Sequence, residues 1–223
     1  MNILYHDMLC PFSRQARFYL KELDIEHKTE NFEFYIKEHK PISELFLLTP
    51  ILKISQLNLE LIGIYPIIEY FNDVYQKFFF MDNDISIKSE IRKYISLFNI
   101  YFYREVLYFY IYERVIKCIE NKGEPETDLL NKAIKNLNKY LEHISNKLQK
   151  NDFLINEKIS CADITAAAHI SVLDYFNAIN WDKWQKLAHW YSLIKSQKGF
   201  QGILKDKIVG FEPSKNYSNL DFI

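Results

Sequence analysis

The period of the apolar positions changes along the chain, and the change divides it. Met1 to Tyr5 is a short apolar run, and after Cys10-Pro11 the residues Ala16, Tyr19, Leu20 and Leu23 recur at helical spacing, which predicts a strand and then a helix over 12–23. A second strand is predicted at Glu26 to Phe32, and hairpin strands at Ile51 to Ile54 and Leu59 to Ile62 around Gln56-Leu57-Asn58. Tyr65 to Tyr75 reads as a helix with Pro66 in its first turn, where a missing N–H leaves no gap in the ladder. The order is β-α-β, an irregular stretch holding a short helix, then β-β-α. Beyond it strand patterns vanish. Ile85 to Glu120 reads as one or two long helices and Gly123-Glu124-Pro125 breaks them. Leu130, Ile134, Leu137, Leu141, Ile144 and Leu148 then keep helical period through Thr127 to Lys150.

These patterns give an α/β lobe over 1–76 and an all-helical lobe over 85–208, followed by an extended tail over 209–223. In the linker between the lobes, Phe78-Phe79-Phe80 is too apolar to stay in water and is expected to dock between them. The tail has turn formers, no periodicity and an apolar, aromatic end, so it either folds back over its own body or serves as a recognition segment.

Composition narrows the function classes. A chain of 223 residues has room for two cores, and 48% hydrophobic with 26% charged residues is ordinary for a folded protein. The net charge of −1 leaves no footprint for nucleic acid or an anionic membrane. No basic and apolar leader opens the sequence and no apolar run approaches a membrane span, so a cytoplasmic protein without membrane insertion is expected. Cys10, Cys118 and Cys161 are too far apart to suggest a disulfide framework or zinc site. His6, His27, His39, His143, His169 and His189 show no ligand spacing, and no Gly-rich phosphate loop is present, so neither a metal nor a cofactor is expected.

The sharpest local signature is Ser160-Cys161-Ala162-Asp163. There Ser160 can cap the Asp163 amide while the Asp163 carboxylate reaches back to the Ser160 amide, with Ile159 and Ile164 as the apolar staple. The small residues of Thr165-Ala166-Ala167-Ala168 let the following helix pack closely in a bundle. Trp181, Trp184 and Trp190 read as packing residues near a further helix.

Three stretches in this order and at these separations resemble the glutathione S-transferase superfamily. Cys10 to Arg17 is similar to its active-site turn and first helix, Thr49-Pro50 to its cis-proline dipeptide, and Ser160 to Asp163 to its buried capping box. The resemblance implies a thioredoxin-like lobe and a helical lobe. It also implies a ligand cleft formed by Phe12, Ser13, Thr49, Pro50, Gly63 and Ile64, with the Thr49 backbone placed to pair with a peptide-like ligand. Cys10 is its catalytic candidate. A thiol at a helix N-terminus faces the positive dipole end, which favours thiolate, and with Ser13 in place of a second cysteine only exchange with an external thiol remains. The alternative is that Cys10 is a small apolar filler.

Gly63-Ile64 stands where the superfamily offers an acidic or amide residue followed by a hydroxyl, and neither side chain can hydrogen-bond a γ-glutamyl group. Loss of two or three charge-assisted hydrogen bonds, each about 1.5–3 kcal/mol, predicts that ordinary glutathione chemistry is absent.

The ending Tyr217-Ser218-Asn219-Leu220-Asp221-Phe222 resembles one branch of the superfamily, the FtsZ-localised bacterial division factors. That resemblance implies a homodimeric, non-catalytic adaptor in the cytoplasm, recruited to the division site. It would bind FtsZ filaments and other division proteins and link them to septal wall synthesis, with Tyr217, Leu220, Asp221 and Phe222 as partner-binding anchors. The alternative is a cysteine-type glutathione transferase or glutathione-dependent thiol reductase.

Overall fold

The computed structural model describes residues 1–32, 49–75 and 80–220. The short helix expected after the second strand lies outside the described residues, as do Phe78, Phe79, Asp221 and Phe222.

A four-stranded mixed sheet is formed by β1 (Asn2–His6), β2 (His27–Asn31), β3 (Ile51–Ile54) and β4 (Leu59–Ile62), in the order β2-β1-β3-β4. β1 runs parallel to β2, with Leu4 opposite Thr29, and antiparallel to β3, with Leu4 opposite Leu52. The β3–β4 hairpin turns through Asn58, whose left-handed φ of 47° suits an asparagine. β2 carries the polar sequence HKTEN along an edge, which discourages pairing with another chain. Helix α1 (Pro11–Glu22) crosses from β1 to β2, and α2 (Ile64–Val74) packs beside it through Ile67, Ile68 and Phe71.

The helical lobe begins where Asp84 caps Ser86 and Ile87, opening a long run, α3, over 85–119. Its hydrogen bonding is α-helical over Ile85–Ser96 and widens to π-helical over Leu97–Leu107 and again over Tyr112–Ile116. Helices α4 (Thr127–Lys147), α5 (Cys161–Tyr175), α6 (Gln185–Lys195) and the short α7 (Lys198–Gln201) complete it. Every residue of α5 is buried, so it is the central helix, and Ala166, Ala167 and Ala168 let its neighbours approach.

One core joins the lobes. Phe18 of α1 meets Phe80 at 5.6 Å and Phe200 at 6.3 Å, so the described part of the linker aromatic run does dock between the lobes. At Gly199 an added Cβ would lie 2.6 Å from the Phe18 carbonyl oxygen, so only glycine lets α7 sit against α1.

Candidate functional site

The polar start of α1 faces the cis Thr49-Pro50 peptide. Cys10 is the N-cap residue, with Pro11 opening the helix and no side-chain cap. The turn before it is built by Asp7, whose carboxylate accepts the Leu9 and Cys10 N–H groups at 2.7 and 3.1 Å, while the Asp7 N–H donates to the Ser13 hydroxyl at 3.2 Å. The Cys10 thiol lies 3.0 Å from the Thr49 hydroxyl and is buried. Burial pushes the thiol pKa up, against the hydrogen bonds from Thr49 and Ser13, and the nearby Asp7 carboxylate pushes it further in the same direction. The thiolate stabilisation expected from the helix dipole is therefore outweighed.

The remaining cleft candidates are close to Cys10, but most present little side chain. Phe12 is buried against Tyr103 at 5.1 Å and His169 at 5.6 Å, and Ser13, Thr49, Pro50 and Ile64 are buried as well. Gly63 donates its N–H to the Pro50 carbonyl at 2.8 Å, joining the hairpin end to the cis-proline. Its φ of 85° is a conformation in which a side-chain-bearing residue would be strained. The missing polar anchor thus coincides with a backbone shape that favours glycine.

The capping box opens α5 as the sequence indicates. The Asp163 carboxylate accepts the Ser160 N–H at 2.9 Å, the Ser160 hydroxyl at 2.8 Å, the Leu154 N–H at 2.8 Å and the Trp190 indole N–H at 2.9 Å. Burial pushes its pKa up while these four donors hold the charged form. Trp181 is also a packing residue, stacked on Tyr191 at 5.1 Å with its N–H on Asp174 at 2.8 Å.

The tail gives the clearest correction. Tyr217, expected to be a partner anchor, is fully buried in its own body, with its hydroxyl on the Ile203 carbonyl at 2.9 Å and its ring edge-on to Tyr175 at 4.9 Å. Leu220 is half-buried against the same core. The segment holding them follows a row of backbone acceptors. Lys195 donates to the Asn216 and Asn219 carbonyls at 2.6 and 2.5 Å, and Ser192 to the Leu220 carbonyl at 2.6 Å. Tyr175 donates to the Phe211 carbonyl at 2.8 Å. On its outer side a shallow groove of about 640 Å³ runs among Arg114, Phe176, Asn177, Phe211 and Pro213.

Sequence reasoning missed Arg14, Lys195 and His169. The first two are buried cations and the third is a neutral imidazole held among Phe12, Phe98, Phe102 and Tyr103. Arg14 and Arg17 at helical spacing on α1 were the available signal, because two cations one turn apart on a core helix demand partners.

The model of the glutathione S-transferase C-terminal domain matches residues 100–198. The curated protein FtsZ-localized protein A of Caulobacter vibrioides is 30% identical over 98% of this chain and 97% of its own. The chain belongs to the glutathione S-transferase superfamily. Among solved structures it is similar to FzlA from C. crescentus, with a TM-score of 0.89, 29% identity and 99% coverage of both chains. A glutathione S-transferase from Rhodospirillum rubrum F11 is similar to the same degree, with a TM-score of 0.89 at 26% identity over the full length of both. In this superfamily member no helix among the described residues is long and apolar enough to cross a membrane.

Proposed function

We propose that this protein is a division adaptor: a homodimer that binds FtsZ filaments, links them to septal wall synthesis and has lost glutathione chemistry. The observation that carries the reading is the end-to-end similarity to FtsZ-localized protein A, which spans both lobes and the tail. The site supports it from the other side. Gly63-Ile64 offers a γ-glutamyl group no side-chain partner, and the Cys10 thiol is buried on Thr49 with a raised pKa.

Ile62 and Tyr65 on the first lobe and Ile100 and Tyr101 on α3 are exposed, and the Tyr65 hydroxyl is within reach of Ser96 and Asn99 at the junction of the lobes. Exposed apolar side chains on both lobes suit two-fold pairing with a second copy. Phe98, Phe102 and Leu107 of the same helix are buried in the chain's own core and lie outside any such face.

Co-sedimentation with FtsZ filaments, paired with glutathione calorimetry, tests the reading. Pelleting with filaments and a flat calorimetric trace are expected. A saturable micromolar isotherm abolished by Cys10→Ala, with no pelleting, favours the cysteine-type transferase instead, the reading that Cys10 at the start of α1 keeps open.

A further inference from the structure

Helix α1 carries Arg14 and Arg17 one turn apart, and both end on the C-terminal segment. Arg17 pairs with both Asp206 carboxylate oxygens at 2.6 and 2.7 Å, and the Arg14 guanidinium lies 5.7 Å from the centre of the Tyr217 ring. Arg14 is fully buried, and its other bonds lead away from the tail. Its Nε donates to the Met8 carbonyl at 2.9 Å and its Nη1 to the Ser171 hydroxyl at 2.7 Å. A single guanidinium therefore touches the tail's buried ring, the central helix and the turn that ends in Cys10.

We propose that the tail over 208–220 is a latch whose seating on the body sets the conformation of the Asp7-to-Cys10 turn, with Arg14 as the coupling residue. The seated state is held by polar contacts made to backbone rather than to side chains. Lys195, Ser192 and Tyr175 between them hold the Phe211, Asn216, Asn219 and Leu220 carbonyls, and the Ser214 N–H returns to the Tyr175 carbonyl at 2.8 Å. Such a row can open as a unit, because each carbonyl finds water on release.

When the tail lifts, the Tyr217 ring leaves the face of Arg14 and a space opens beneath the guanidinium. Arg14 is then free to turn toward it and let go of Met8, whose side chain is exposed and offers the turn little packing of its own. The turn then keeps only the hydrogen bonds from the Leu9 and Cys10 amides to Asp7 and, without its anchor to the central helix, opens more often. Coupling of this kind is reciprocal, so a molecule that displaces the Met8 carbonyl weakens tail seating by the same factor. The inference holds for an adaptor and for an enzyme alike, since it uses only the contacts around Arg14.

The test uses the full-length protein with Lys195→Met, which removes the two carbonyl bonds at nearly constant volume, and with Tyr217→Ala, which removes the ring. Hydrogen exchange and iodoacetamide alkylation are followed peptide by peptide, so that Cys10 is read apart from Cys118 and Cys161. At least tenfold faster exchange over 208–220 is expected, together with at least threefold faster alkylation of Cys10 and faster exchange at Leu9, while the Ser160 peptide stays protected. If Tyr217→Ala fails to fold, Lys195→Met decides alone. A released tail with Cys10 and Leu9 at wild-type rates overturns the proposal, and so does a tail that neither variant loosens.

Discussion

Two helices of this protein begin at a buried polar residue, and they have been put to opposite uses. At the start of α5 the Asp163 carboxylate meets four donors from three segments, so a group that burial would neutralise becomes the knot of the helical lobe. At the start of α1 the Cys10 thiol meets the Thr49 hydroxyl and lies near the carboxylate of Asp7, and burial keeps it protonated. Both groups lie at the start of a helix, Cys10 at the cap and Asp163 in the first turn. What differs is the supply of donors, and that supply decides whether a buried ionisable group is structural or merely quiet.

The hardest test of this contrast is Asp163→Ala, which strands the Leu154 and Ser160 amides and the Trp190 indole without their acceptor. A loss on the order of 4 kcal/mol is expected in urea unfolding, and an unchanged midpoint would erase the difference between the two helix starts.

Between them sits His169, whose ring touches Phe12 and whose pKa burial lowers to about 4. From pH 6.5 down to 4 the unfolded chain binds a proton that the folded one refuses, so stability falls as pH falls through that window, by on the order of 3 kcal/mol at its lower end. His169→Phe should flatten that slope in melts taken between these limits. His6, also lowered to about 4 by burial, leaves a residual slope in the variant.

Ser160→Ala removes one hydroxyl from the Asp163 cluster and keeps the backbone donors, for which about 1 kcal/mol in chemical denaturation is expected. Smallest is Cys10→Ala. With no charged partner lost, less than about 1 kcal/mol is expected, and alkylation of wild-type Cys10 against pH should show no inflection below the ordinary thiol range.

Much of this fold was legible because its local signals agree with its packing. The hairpin at Ile51–Ile54 and Leu59–Ile62 and the box at Ser160 follow from period and capping alone. Tyr217 was not legible, since a tyrosine between asparagine and serine in an aperiodic tail reads as exposed. Its burial depends on Tyr175 and Arg14, far away in sequence. The burial bears on stability as well, because the Tyr217 ring fills a space against Tyr175 and Arg14 that removal of the tail would leave open. The Cys10 site was half legible, because helix position can be read locally whereas burial by the neighbouring core and the contact with Thr49 cannot.

The contact of Gly199 with Phe18 also has a meaning in time. Helix α1 leaves the ribosome well before α7, so the faces that receive Gly199, Phe200 and Asp206 wait for segments made some 180 residues later, roughly 10–35 s at ordinary rates of synthesis. Until then the first lobe carries an uncovered apolar flank and unpaired cations. A nascent chain that stalls before Gly199 therefore presents α1 to chaperones, and the first lobe becomes a finished object only when the last helix arrives.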